Sequence, residues 1–223
     1  MERLFVWTGG ALFAGSIALC VGWYLFYLGE PRPRTGFAPF VYDAVLVTLF
    51  ASHHSVFARG WVKRQLTPIP WHLRRSFFVW IASLLLIAVC LLWRTLGGEL
   101  YRATGARAAA HLVVQLAGFA LAVWSVAEID PLELAGIKTP DESETLQVKG
   151  PYRLVRHPLY LGWIVAAFGT HHLTGDRLAF AALTSLYLVI AIPWEERSLV
   201  ESYGDEYIRY QRQVRWRVIP FVY

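Results

Sequence analysis

The sequence predicts an all-α, polytopic transmembrane bundle of about six helices, the last two forming a hairpin, with an amphipathic C-terminal helix at the cytoplasmic surface. Three observations carry that expectation. The 223-residue chain is 56% hydrophobic and only 17% charged, against about 45–50% and about 25% for a soluble domain. Its apolar residues come in long uncharged runs, and a span needs about 20 such residues. Its basic residues collect in the short links between those runs.

The first run, residues 4–28, has no charge in 25 positions, longer than the about 7–15 apolar residues of a signal-peptide core. It is therefore expected to be a retained span. The second, residues 38–58, carries one acid, Asp43, near one end, and the third and fourth, residues 76–93 and 108–127, are uncharged. Two shorter runs follow, residues 158–170 and 178–194, split by Thr174-Gly175-Asp176-Arg177. That split reads as a tight turn between antiparallel helices.

Orientation follows from cations in short loops. Arg59, Lys63, Arg64, Arg74 and Arg75 lie between the second and third runs without an acid among them, which places that link in the cytoplasm. Alternation then puts residues 130–156 and the tail on the same side. The net charge of +5 is accordingly flank charge facing anionic lipid, not the basic stripe of a nucleic-acid binder. Trp7, Trp61, Trp71, Trp93 and Trp194 fall near run ends, as interfacial aromatics do.

One membrane domain, residues 1–223, is expected, with a four-span part up to residue 130 and a polar-rich part from 131 to 223. In the tail, Leu199, Tyr203, Tyr207, Tyr210 and Val214 recur at helical spacing, and Gly204 marks a break. Cys20 and Cys90 sit in separate runs without a C-x-x-C and are expected to pack as small hydrophobes, with no disulfide or metal role.

Polar chemistry concentrates in residues 149–162, KGPYRLVRHPLYLG. Gly150-Pro151 makes a turn, and Pro158 suits a first helical position because its missing N–H would be unpaired there anyway. His157 then caps a helix whose first N–H groups suit a carboxylate or phosphate. Gly162 permits a close approach, and Tyr152 and Tyr160 offer aromatic faces and hydroxyls. An interfacial basic loop anchored by tyrosines explains the same residues equally well. Glu195 and Glu196 follow the last run; neighbouring helix positions point about 100° apart, so one of them at most should face a given pocket. His53 and His54 lie inside the second run, where ionisable groups face an interior or cavity. Without further ligands at metal spacing, they read as hydrogen-bonded structural histidines first and as a proton acceptor second, with no metal.

Three separated blocks then carry a resemblance. GPYRLVRHPLYLGW, about thirty apolar residues, EERSLVESYGDEYIRYQRQV and a terminal IP are similar to the C-terminal half of the isoprenylcysteine carboxyl methyltransferase superfamily, over roughly residues 144 to 220. SHHSVFARGWVKRQLTP and RRSFFVWIASLLLIAVCLLWR, between Ser52 and Arg94, resemble its methanethiol S-methyltransferase-like members. The resemblance implies an integral membrane enzyme using S-adenosylmethionine, with cofactor contacts on Glu144, Thr145, Leu146, Gln147, Tyr152, His157, Pro158, Leu159, Tyr160 and Glu195. It also implies a small or lipophilic methyl acceptor, a thiol or a carboxylate. Where the superfamily has an acceptor-binding arginine, this chain has Ala191; where methanethiol-type members tend to show Asn-His, it has Asp130-Pro131. A thiol acceptor must lose a proton, and His53, His54 and Asp130 are the candidate bases. The expected location is a bacterial inner membrane, with the site facing the cytoplasm. The rival readings are an NADPH-dependent reductase of the steroid and sterol type, which would carry an acid where Trp163 stands, and an inactive membrane scaffold.

Overall fold

The computed structural model describes residues 1–57, 69–138 and 146–223. The expected loop cations Arg59, Lys63 and Arg64, and the expected contacts Glu144 and Thr145, lie outside them. The protein is mostly helical, and among the described residues four helices are long and apolar enough to cross a membrane: Glu2–Tyr27, Trp71–Leu92, Gly105–Glu128 and Gly175–Tyr203. The chain divides into two compact units.

The first unit comprises Met1–Glu99, Pro131–Glu142 and Thr174–Ala179. It holds α1 (Glu2–Gly22), which runs on into a π-helical turn (Trp23–Tyr27), then α2 (Ala38–Phe57) and α3 (Arg74–Leu92). What α1 buries is small or polar: Gly9, Gly10, Ser16 and Cys20. The buried face of α3 is Ser76, Val79, Ser83, Val89 and Cys90. Large apolar side chains such as Leu4, Ile17, Leu84 and Leu91 point outward. That inversion of a soluble core is what helix pairing in lipid requires, since bulk in the seam gains nothing there and small residues let backbones close up.

Helices α1 and α3 run parallel. Phe5 stacks on Trp80 at 5.7 Å and accepts its indole N–H, while Trp23 meets Trp93 edge-on at 5.4 Å. Near that second end, Asp176 accepts the Trp93 indole N–H and the backbone N–H groups of Leu96 and Gly97 at 2.8 to 2.9 Å. Arg177 donates to the Tyr24 and Leu25 carbonyls, within the π-helical turn.

Thr174 to Arg177 is not the tight turn expected. Thr174 closes a short strand, and its hydroxyl accepts the Arg177 N–H at 3.2 Å, so it caps the following helix instead.

The second unit comprises Leu100–Asp130, Ser143–Leu173 and Phe180–Tyr223. Strand β1 (Glu99–Arg102) pairs with β2 (His172–Thr174). Helix α4 (Gly105–Glu128) packs along α5 (Pro158–Phe168). A Cβ on Gly162 would fall 2.6 Å from the Ala122 nitrogen and 2.8 Å from the Gly118 carbonyl, the close approach its position in the sequence suggested. Gln115 donates to the Ala166 carbonyl at 2.9 Å in the same seam. Gly162→Leu therefore meets backbone that cannot step aside. The expected loss is about 2 kcal/mol or more, read as a lower midpoint of thermal unfolding in detergent.

Helix α5 has 11 residues, about 16 Å at 1.5 Å per residue, roughly half of a hydrocarbon core. The last long helix, α6 (Gly175–Tyr203), runs unbroken through Pro193 and carries Glu195 and Glu196 within it, rather than at the start of a separate tail helix. The break falls at Gly204, with φ 54°, before α7 (Asp205–Gln213). The tyrosine stripe is real, but its apolar face is taken up by protein: Tyr207, Tyr210 and Val214 pack with Leu146, Leu199, Val200 and Tyr203.

Candidate functional site

The second unit gathers most of the chain's polar chemistry around one helix start. Residues Gly150–Arg153 form a 3-10 turn, with Gly150 at φ 54°. His157 then caps α5, and Pro158 takes its first position. Tyr160 and Leu161 turn their N–H groups back on the His157 carbonyl at 3.1 and 3.2 Å. Leu159 is the first-turn N–H not directed there, so the helix start offers an anion less than an open one would.

The tail fixes this turn from the other side. Arg156 and His157 donate their backbone N–H groups to the carbonyls of Trp216 and Arg217 at 2.9 and 2.8 Å. The Arg156 guanidinium donates to Glu196 Oε1 at 2.6 Å and to the carbonyls of Val214 and Arg215 at 2.7 and 2.9 Å. Glu196 Oε2 accepts from Arg217 at 3.2 Å and from Gln211 at 3.4 Å. Burial opposes the Arg217 charge, yet the Glu196 carboxylate and the Tyr223 hydroxyl hold its pKa above the usual arginine value. Both partners of the Arg156–Glu196 pair are nearly out of water, where an ion pair persists only with its remaining hydrogen bonds filled.

Glu195 behaves differently. Its Oε2 accepts the Tyr160 hydroxyl at 2.6 Å, while its side chain stays 42% exposed. The His157 ring stacks on Tyr160 with centroids 5.3 Å apart and planes 15° from parallel. That ring lies between the two acids, 3.4 Å from Glu196 and 3.7 Å from Glu195. Of the pair, Glu196 alone lines the adjoining groove, as expected, although both acids contact His157. Long side chains from adjacent positions reach the same imidazole from opposite sides, one saturated by cations and one open.

Tyr152 completes the cluster. Its hydroxyl reaches the Ser125 carbonyl at 3.4 Å, and its own carbonyl accepts the Tyr210 hydroxyl at 2.7 Å. Burial, and then the charges of Glu195 and Glu128, push its phenol up to about 12, so it stays neutral at physiological pH. An open groove of about 440 Å³ adjoins the ion-pair hub, lined by Pro193, Glu196, Arg197, Val200, Glu201, Gln211 and Arg217.

The residues singled out in the sequence divide accordingly. Tyr152, His157, Pro158, Tyr160 and Glu195 come together, and Leu159 and Gln147 are half-buried in the same unit. Leu146 serves the tyrosine cluster. Asp130 ends the α4 segment of this unit, whereas His53 and His54 belong to the first. There His53 stacks on Phe78 at 5.1 Å and reaches its carbonyl at 3.3 Å, and His54 stacks on Phe50 at 6.0 Å. Sequence reasoning missed Arg156, Glu196, Gln211 and Arg217 as a unit. The one available signal was Arg156 directly preceding His157, with the Glu195-Glu196 pair far downstream.

Comparison with known proteins gives a consistent picture. The family model described as isoprenylcysteine carboxyl methyltransferase (ICMT) matches residues 111–201. The chain is 35% identical over 184 residues to methanethiol S-methyltransferase 1 of Bradyrhizobium diazoefficiens, covering 78% of this chain and 65%, just under two thirds, of that protein. It is 34% identical over 185 residues to methanethiol S-methyltransferase of Mycobacterium tuberculosis, covering 78% of this chain and 75% of that one. Protein-S-isoprenylcysteine O-methyltransferase B of Arabidopsis thaliana is 32% identical over 85 residues, 37% of this chain and 43% of its own length. No solved structure matches. These relatives carry methyltransferase names, and the steroid-reductase reading finds no support among them.

Proposed function

The chain belongs to the isoprenylcysteine carboxyl methyltransferase family, and from that premise we propose a membrane methyltransferase that uses S-adenosylmethionine. Its acceptor is a small thiol or a lipophilic thiol or carboxylate. The observation that carries the reading is the convergence of Tyr160, His157 and the half-exposed Glu195 at the start of α5. The site opens to the cytoplasm, with α2 and the α5 hairpin adding to the four long helices to make about six membrane segments.

The residues present suit that cofactor. Its sulfonium and ammonium are cations, and the carboxylate and aromatic faces here attract cations. Glu195 has an oxygen to spare beyond the one Tyr160 holds, and the Leu159 N–H is suited to a carboxylate. Tyr152 and Gln147 would line the same cradle. When bound, S-adenosylmethionine supplies a methyl group already activated by its sulfonium. The protein's own task is then to hold an acceptor in line and keep water out. Tyr160 fixes the Glu195 rotamer, His157 backs the Tyr160 ring, and the Arg156–Glu196 hub holds His157 from behind. Tyr152, neutral at working pH, adds an aromatic wall without a competing charge.

The acceptor decides whether a base is needed. The aromatic surroundings of His53 and His54 favour a structural role for that pair, which leaves Asp130 as the preferred base for a thiol. Transfer of radiolabelled methyl groups from S-adenosylmethionine by the purified chain, measured with small thiols and with prenylated cysteines, tests both points. With a thiol, kcat/KM should rise about tenfold per pH unit below the thiol's pKa of about 8.5 or above; a carboxylate acceptor should give a flat profile near neutrality. No labelled product with any acceptor class would defeat the enzyme reading and leave the scaffold.

A further inference from the structure

Two cysteines far apart in sequence meet inside the first unit. Cys20 and Cys90 are both buried, at 5% and 4% exposure, and each thiol lies within interaction range of the other. The register of the two helices explains the meeting. Cys20 lies two residues before the end of α1 at Gly22, and Cys90 two residues before the end of α3 at Leu92. Three residues further along each chain, Trp23 and Trp93 meet at 5.4 Å. Because α1 and α3 run parallel, the cysteine pair and the tryptophan pair are successive rungs of one seam.

We infer that Cys20 and Cys90 form a pre-positioned dithiol that a lipid-soluble two-electron oxidant converts to a disulfide, fastening α1 to α3. In the reaction each thiol gives up one proton and one electron, and an Sγ–Sγ bond forms. A quinone takes both electrons and both protons and leaves as the quinol. The product suits the place. A disulfide is neutral, whereas a metal held by two thiolates would strand charge among apolar helices. Burial keeps water-borne thiolate chemistry slow at this pair, which is why the oxidant is one that partitions into lipid. On the orientation proposed above, both helix ends face away from the cytoplasm, the side on which disulfides persist.

The test uses the full chain in lipid vesicles, treated with a fully substituted short-chain quinone or with diamide, then denatured and alkylated with maleimide. Untreated protein should take up two maleimides and oxidised protein none, and digestion should yield one peptide linking Cys20 to Cys90. The thermal midpoint should rise by roughly 5–10 °C on oxidation and fall back with dithiothreitol. Cys20→Ser should label once whether or not oxidant is present, with no change in midpoint. Two reactive thiols remaining after both oxidants, or a link joining two chains, would overturn the inference.

Discussion

Glu196→Ala should cost the fold about 3–5 kcal/mol, the penalty for leaving a buried charge without its partner. Arg156 has 7% of its side chain exposed and takes its one carboxylate contact from Glu196, besides the carbonyls of Val214 and Arg215. Its backbone holds Trp216, so an unpaired guanidinium drives the tail off the turn. Arg156→Ala should be comparably damaging, for among the described residues it leaves Glu196 facing Arg217, Gln211 and His157. The informative variant is the double one, Arg156→Met with Glu196→Leu. Exchanging a buried pair for apolar volume is often neutral, so the double variant should be more stable than either single alanine. Thermal midpoints of the unaltered protein, Arg156→Met, Glu196→Leu and the double variant close a cycle that gives the coupling, and additive losses would show that the pair does not act as a unit.

Glu195→Ala should do the opposite: leave the fold nearly intact and weaken cofactor binding. Glu195 sits one residue away on the same helix, but its side chain is 42% exposed and its hydrogen bond to Tyr160 is the one it makes at 2.6 Å. Loss of a charged acceptor for a cationic ligand is worth about 1.5–3 kcal/mol, roughly a 10- to 100-fold weaker dissociation constant. Tyr160→Phe keeps the carboxylate but frees its rotamer, and should weaken binding by about fivefold, the worth of one ordinary hydrogen bond. Thermal midpoint and affinity should therefore separate along the Glu195–Glu196 dipeptide, one acid governing each.

Much of this was legible in the sequence because it is local. Pro158 opens α5, Gly204 interrupts the tail, and Gly162 sits where two backbones approach, each dictated by the chemistry of a single residue. The tyrosine stripe was legible as period, though not its partner, because period alone does not say whether lipid or protein covers a face. What stayed hidden depends on long-range pairing. Glu196 lies 40 residues from Arg156 and 21 from Arg217, and nothing in the local pattern distinguishes it from Glu195. The meeting of Cys20 with Cys90 follows from the parallel register of α1 and α3, which is not visible in either run. Apolar length overstated one helix: the run at residues 158–170 gives a helix of 11 residues that ends at Phe168, before the chain builds β2. The turn placed at residues 174–177 failed for a related reason, since Thr174 and Asp176 are turn formers that serve equally well in the first turn of a helix.

The claim that the Tyr160–His157–Glu195 cluster is a site for S-adenosylmethionine meets its most direct test in calorimetry on the 223-residue chain in detergent. S-adenosylmethionine and NADPH are titrated separately into the unaltered protein and into Glu195→Ala. The expected result is saturable binding of S-adenosylmethionine, none of NADPH, and at least a tenfold weaker affinity in the variant at an unchanged thermal midpoint. Equal affinity in both proteins, or binding of NADPH alone, would contradict it.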